Sequence, residues 1–284
     1  MNKKKSTDKK FLKVLYVAVI LLVIAGTLLP IFFALGSSLR SDEEIFHYAA
    51  PFTFHTLVPV KVIFDNYKAL FADYAFWRPV MNSIFVSMST VVVGFIVNAL
   101  AGFAFAKFDF RGKRILFVIY LFSFMIPFEM IAVPLYKTAE SLNLIDTYSA
   151  LILPMVANGM IVFLYTQFFK DIPDSLIEAA TIDGAGFFRI FFSIIVPVSK
   201  PVIISASLML FIKQWDAFLW PMIATTKNDM QVIQVAISNF TLEFTVLWGV
   251  IFAATIIAII IPVLTLIPLQ KYYIKGAVTS GLKG

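Results

Sequence analysis

The sequence predicts an all-α fold, a polytopic bundle of six transmembrane helices with a helix-turn-helix loop set between the fourth and the fifth. Three observations predict it. Of 284 residues, 60% are hydrophobic and 14% charged, where a soluble domain carries about 25% charged residues, and the mean hydropathy is +0.90. The apolar residues fall into six runs, each near the ~20 residues that a helix needs to cross the hydrocarbon core. Lysine and arginine gather in the short segments bordering those runs, which is how membrane topology is written. The net charge of +6 therefore addresses the bilayer and predicts no nucleic-acid partner.

Residues 1–13 form a basic, polar amino terminus carrying Lys3, Lys4, Lys5, Lys9, Lys10 and Lys13. The first run, Val14 to Gly36, is uncharged for 23 residues. A cleavable signal would have an apolar core of only about 7–15 residues, so an uncleaved span is expected. The loop from Ser37 to Arg78 mixes charge, aromatics, prolines and histidines and predicts short helices laid against the bundle. Val80 to Ala106 is the second run, Ile115 to Tyr136 the third with one carboxylate, and Thr147 to Phe169 the fourth. Val202 to Ala224, holding Lys213 and Asp216, is the fifth, and Val246 to Gln270 the sixth. Residues 14–270 thus make the membrane domain and 271–284 a basic tail. With the amino terminus in the cytoplasm, the inside segments hold 16 lysines and arginines and the outside segments 6, which predicts that both termini and the 171–200 loop are cytoplasmic.

Several chemistries are excluded. There is no cysteine and there are two histidines, His47 and His55, both in one loop. No thiolate or zinc-thiolate site is available, no metal-hydrolase motif occurs, and a membrane-embedded enzyme would lack a base for its serines. Gly276 to Lys283 approaches a phosphate-binding loop, but Leu282 separates Gly281 from the lysine. The chain is expected to bind no metal and no cofactor.

The spans hold a few residues that ask for a role. Gly94, Asn98, Gly102 and Ala106 recur every four positions and form a small, polar stripe suited to helix–helix contact, with a place on a solute path the alternative for Asn98. Glu129 lies between Pro127 and Pro134; it either marks a path through the bundle or reaches headgroup water. Lys213 and Asp216, three apart on one helical face, either neutralise each other structurally or line a path together with Trp215 and Trp220, since sugars are held by aromatic faces beside hydrogen-bonding groups. An ion-coupled secondary transporter, the alternative function, would use Glu129 or the Lys213 and Asp216 pair as its coupling site.

Between the fourth and fifth runs the chain reads Glu178-Ala179-Ala180-Thr181-Ile182-Asp183-Gly184-Ala185, followed by Pro197 and Pro201. Asp171 to Ala185 predicts a short amphipathic helix, Gly184 a change of direction, and Phe187 to Val196 a second helix stopped by Pro197 and Pro201. This stretch resembles the E-A-A loop of the permease subunits of ATP-binding-cassette importers. Trp215 to Pro221, W-D-A-F-L-W-P, resembles the W-N-E-F-L-W-P type of segment in carbohydrate-uptake permeases, with Asp216 for the asparagine and Ala217 for the acid. The tail from Gln270 to Gly284 is similar to that of the smaller permease subunit of maltose-type importers. The resemblance implies a permease for a sugar or oligosaccharide in a bacterial cell membrane. It implies as partners a second homologous permease, two cytoplasmic ATPase subunits that carry ATP and Mg, and an extracellular or periplasmic solute-binding protein. It also implies that Glu178, Ala179, Ala180, Asp183, Gly184, Ala185 and Pro197 couple the chain to the ATPase.

Overall fold

The computed structural model describes residues 2–241 and 246–281, with side chains for 12–123, 125–241 and 246–270. The side chains of Lys3, Lys4, Lys5, Lys9, Lys10, Lys271 and Lys275, and all of Leu282, Lys283 and Gly284, lie outside the described residues. The described chain is helical, with no strand. In order it forms α1 (Asn2–Ser38), α2 (Asp42–His47), α3 (Phe54–Leu57), α4 (Asp65–Ala72), α5 (Trp77–Lys107), α6 (Lys113–Phe124), α7 (Phe128–Ser141), α8 (Tyr148–Val156), α9 (Gly159–Lys170) and α10 (Asp174–Ile182). There follow α11 (Phe187–Ile190), a π-helical turn (Phe191–Ile195), α12 (Val196–Val198), α13 (Lys200–Trp215), α14 (Leu219–Ala224), α15 (Ile233–Asn239) and α16 (Trp248–Gly281).

Stretches 12–38, 77–107 and 248–270 are single helices long and apolar enough to cross a membrane. Three further pairs qualify together, 113–123 with 128–141, 148–156 with 159–170, and 187–198 with 200–215, which makes six spans if each pair is one. The pairs bend by 100°, 45° and 87° respectively. Run length marks the third, fourth and fifth spans without marking these bends. Pro127 has no N–H and turns the residue before it away from the helical region, so α6 stops and α7 starts behind it. Asn158 caps α9 by accepting the Ile161 N–H at 3.2 Å. The fifth run breaks at Asp216, the C-cap of α13, before α14 begins.

Two compact units are present, residues 1–76 with 237–259, and residues 77–236 with 260–284. In the first, the loop after α1 forms three short helices, as its composition predicts. The Arg40 guanidinium is buried and donates to the carbonyls of Gly36, His55 and Thr56. Asp42 accepts the N–H groups of Trp248 and Gly249 at 3.2 and 2.7 Å, capping the positive end of α16.

The second unit is built around α5. Its buried core joins Ala99 and Phe103 of α5 to Ile161, Tyr165 and Phe169 of α9, Phe191 and Ile195 of the π turn, and Ala206 and Leu210 of α13. Lipid is as apolar as these side chains, so close packing must hold the helices together. The glycine stripe supplies that packing: a Cβ on Gly102 would lie 2.6 Å from Tyr165 Cβ, and one on Gly94 2.9 Å from Leu210 Cδ1. A second cluster, with Val86, Leu151, Trp220 and Val235, sits nearer the other end of α5. There Asp146 accepts from the Thr226 hydroxyl at 2.7 Å and from the N–H groups of Thr226 and Lys227 at 2.6 and 3.1 Å. These bonds, the Thr226 hydroxyl first, hold its carboxyl below the ordinary aspartate range.

Gly102→Ala should lower stability by about 1–3 kcal/mol through overpacking, whereas Gly26→Ala, with nothing near its would-be Cβ, should be neutral or slightly stabilising. Unfolding of the two purified variants by heat decides between them. A depressed carboxyl stabilises the fold above its unfolded pKa and loses that contribution as pH falls through its folded pKa. Asp146→Asn should therefore melt lower than the parent at neutral pH and converge with it in acid.

Candidate functional site

The elbow between the fourth and fifth runs is set by three local features. Pro173 is the N-cap of α10 and Asp174 opens its first turn, one position later than a proline inside the turn; Asp171 instead caps α9. At the other end Asp183 is the C-cap and Gly184 takes φ 78°. The Gly184 N–H bonds Thr181 O at 3.0 Å and the Ala185 N–H bonds Ala180 O at 2.9 Å. This is a Schellman motif, whose left-handed residue favours glycine because a Cβ there meets the following carbonyl. The Asp183-Gly184-Ala185 triplet is thus the physical turn, and open space around Gly184 leaves conformation as the reason for it.

The second limb departs from expectation. The helix does not stop at Pro197 but continues through it to Val198, and Ser199 makes the break. A proline ring collides with the carbonyl four residues earlier. The turn before Pro197 widens instead, with the Val196 N–H reaching Phe191 O, five residues back. Pro201 then sits in the first turn of α13, where its missing N–H costs nothing.

Exposure sorts the motif into two faces. No residue of α10 is buried, and Glu178, Ala179, Asp183 and Gly184 are exposed, with Ile182 at 86%. Ala180, Ala185 and Ile177 turn toward the α5–α9–α13 core. Of the alanine pair, Ala179 alone is open to a partner. The base of the elbow is fixed by Lys107, the last residue of α5, whose side chain is only 6% exposed. Its ammonium donates to Ile172 O and to Asp174 Oδ1, the latter at 2.6 Å. Sequence reasoning counted Lys107 only as a topology charge; its place at a helix end facing Asp174 has no signature in spacing.

The residues singled out for a solute path are not brought together. Asn98 is fully buried and holds the α8/α9 break: its Nδ2 donates to Gly94 O at 2.6 Å and Val156 O at 2.7 Å, and its Oδ1 accepts the Asn158 N–H at 2.8 Å. Trp215 is buried and stacks on Phe211 at 5.7 Å. Trp220 is buried, donates its indole N–H to Ala150 O at 2.8 Å and meets Phe128 edge-on. Lys213 and Asp216 are exposed, and the ion pairs among the described residues are Lys68–Asp65, Lys107–Asp174 and Lys113–Asp109. Mutual neutralisation of Lys213 and Asp216, one of the two readings of their spacing, is absent from these pairs, although the Asp216 N–H still bonds Ile212 O at 2.9 Å in the helical manner; Lys213 lines a cavity instead. Glu129 is exposed in the first turn of α7, where the helix dipole suits a carboxylate.

A cavity of about 590 Å3 opens between the two breaks. Tyr120, Ser123 and Ile131 line it from α6 and α7, Asn158 and Gly159 from the α8/α9 junction, and Met209 and Lys213 from α13. Broken helices lining a cavity are how membrane proteins bring backbone polarity to a solute. Sequence reasoning also missed Ser87 and Thr90, whose hydroxyls are buried with no hydrogen-bond partner among the described residues. Among the described residues no group of three acidic or histidine side chains is placed to hold a metal.

An exposed elbow and a cavity between broken spans suit a transport protein. Residues 91–276 match the family described as binding-protein-dependent transport system inner membrane component, and the chain belongs to it. It is a membrane permease of a binding-protein-dependent transport system. It is similar to the arabinooligosaccharides transport system permease protein AraQ of Bacillus subtilis (strain 168), 30% identical over 258 residues, 90% of this chain and 91% of that one. It is also similar to the sn-glycerol-3-phosphate transport system permease protein UgpE of Escherichia coli O1:K1 / APEC, 30% identical over 281 residues, 96% and 98% of the two chains. Its fold matches a chain of a bacterial ABC transporter involved in the import of the acidic polysaccharide alginate, with a TM-score of 0.80 at 22% identity over 94% of this chain and 97% of that one.

Asn98→Ala would leave the Val156 carbonyl and the Asn158 N–H unpaired in the core. At about 1–3 kcal/mol for each such group, the variant should insert but unfold at clearly lower temperature. Thermal unfolding in detergent measures it.

Proposed function

We propose that this chain is one of two permeases that form the translocation path of a sugar or oligosaccharide importer in a bacterial cell membrane. Both termini and the 171–200 elbow face the cytoplasm. The observation that carries the reading is α10: a helix without a buried residue, pinned at its base by Lys107 and turned sharply by Gly184, is a surface held ready for a partner. That partner is a pair of cytoplasmic ATPase subunits. They hold ATP and Mg, while this chain performs no hydrolysis and binds no cofactor. The basic residues support the orientation, with 16 on the elbow side and 6 opposite.

Glu178 supplies the charged contact, Ala179 lets the ATPase approach, Ile182 adds an apolar anchor, and Asp183, Gly184 and Ala185 fix the angle. Ala180 and Pro197 act from behind, Ala180 through the core and Pro197 through the widened turn. Residues 14–270 are the permease domain, 1–13 a cytoplasmic basic terminus and 271–284 a cytoplasmic tail near the ATPase. On the path itself Lys213 faces the cavity. Asn98, Trp215 and Trp220 shape it from the packing behind, and Glu129 and Asp216 stand at the breaks. The sugar assignment is supported by AraQ, a permease for arabinooligosaccharides, and by the alginate importer, which takes up a polysaccharide. A solute-binding protein outside the membrane completes the system, as in the alginate transporter in complex with a pentasaccharide-bound periplasmic protein.

Glu178→Lys and Gly184→Val should leave membrane insertion intact and abolish solute-stimulated ATP hydrolysis in the reconstituted complex. Normal stimulation in both variants would remove the docking role. Labelling of a cysteine at 178 by an impermeant reagent from outside intact cells would overturn the orientation.

A further inference from the structure

Beside the elbow lies a second cavity, of about 560 Å3, that the transport reading leaves unused. Phe105, Phe110 and Phe117 wall it, and Lys113, Arg114 and Lys170 line it together with a single carboxylate, Asp109. Three helix ends meet there: α5 has just ended at Lys107, α9 ends at Lys170, and α6 starts at Lys113 behind Gly112, whose φ of 81° makes the turn. The cavity therefore stands where apolar spans give way to water.

Its cations outnumber the groups that neutralise them. Asp109 pairs with Lys113 at 3.3 Å. The Lys170 ammonium lies 5.8 Å from the centre of the Phe117 ring, and Arg114 is exposed with no ion pair among the described residues. Beyond the cavity the surface of α6 continues apolar and exposed through Ile115, Leu116, Ile119 and Phe122. A cationic rim over aromatic walls that run into an apolar helix face asks for a ligand with an anionic head and long apolar chains.

We propose that this cavity binds an anionic phospholipid of the leaflet on the elbow side. The phosphate sits between Arg114 and Lys170 and the acyl chains lie along α6. Arginine meets phosphate oxygens through its fork, and lysine acts as a point charge. A soluble phosphate would satisfy the cations but leave the aromatic walls and the α6 face uncovered, which selects the lipid over the free anion.

The test uses the full chain purified with its co-purifying subunits, in nanodiscs of phosphatidylcholine alone or with phosphatidylglycerol. Lipids retained on delipidation are read by native mass spectrometry, and the melting temperature is followed in parallel. The parent should retain phosphatidylglycerol over phosphatidylcholine and melt higher in its presence. R114Q/K170Q should weaken that retention by ~30-fold, about fivefold for each surface cation, while melting like the parent in phosphatidylcholine. R114K, which keeps the charge and loses the fork, should fall between and guards against a fold defect in the double variant. Unchanged phosphatidylglycerol retention in R114Q/K170Q overturns the proposal. An equal rise in melting temperature with water-soluble glycerophosphoglycerol also overturns it, by assigning the cavity to a free phosphate ester. Neither readout depends on ATP hydrolysis, so loss of coupling and loss of this site are separate results.

Discussion

Inside a bilayer the backbone has no water to turn to, so every interruption of a span must be answered by the protein itself. The answer here is the Asn98 side chain. One amide bonds Gly94 O on its own helix, Val156 O at the end of α8 and the Asn158 N–H ahead of α9. With those groups answered, the fourth span can bend, and the glycines on either side of Asn98 bring α9 and α13 hard against α5. The course of α9 then fixes where Lys170 and the elbow emerge, and Lys107 at the end of α5 fastens the elbow's base. One line of side chains along α5, from Gly94 to Lys107, thus runs from the cavity to the docking surface.

That line divides the polar and aromatic residues of the second unit into two kinds. Trp215, Trp220 and Asn98 are spent on cohesion: each is buried, and their polar atoms answer backbone groups or pack among neighbours. Lys213 faces the cavity, where the junctions of α6 with α7 and of α8 with α9 approach α13. The elbow is of another kind, since its inner face belongs to the core and its outer face meets nothing among the described residues. A helix so short has little stability of its own. Its persistence rests on Ile177, Ala180 and Ala185 against the core and on the Schellman cap at its C-terminal end.

The fold class was legible in composition and run length, because the thickness of the bilayer sets the length of a span. The elbow was legible because Gly184 and the residues beside it encode a helix end through local geometry. The breaks were not. Apolar residues run on across Asn158 and Pro127, and a hydropathy run does not register a bend. Nor was the role of Lys107 legible, since its partners Ile172 and Asp174 lie 65 and 67 residues away in the chain. The stripe through Asn98 was read as packing, and the packing is there, but the carbonyl it answers is a tertiary fact. The three-residue spacing of Lys213 and Asp216 fixes a shared helical face but not the rotamers that would bring the two charges together.

The widened turn ahead of Pro197 has a consequence for how the chain tolerates change in length. One residue more than an α-helix needs is wound into Phe191–Ile195, and Phe191, Ile195 and Ser199 all still face inward. Removing a single residue from that turn would let it close to ordinary α geometry and leave Ser199 and the start of α13 facing inward. Such a deletion requires Pro197 to be replaced as well, because in an α turn its ring meets the carbonyl four residues earlier. The limb carries one residue of slack, and the proline holds that slack open.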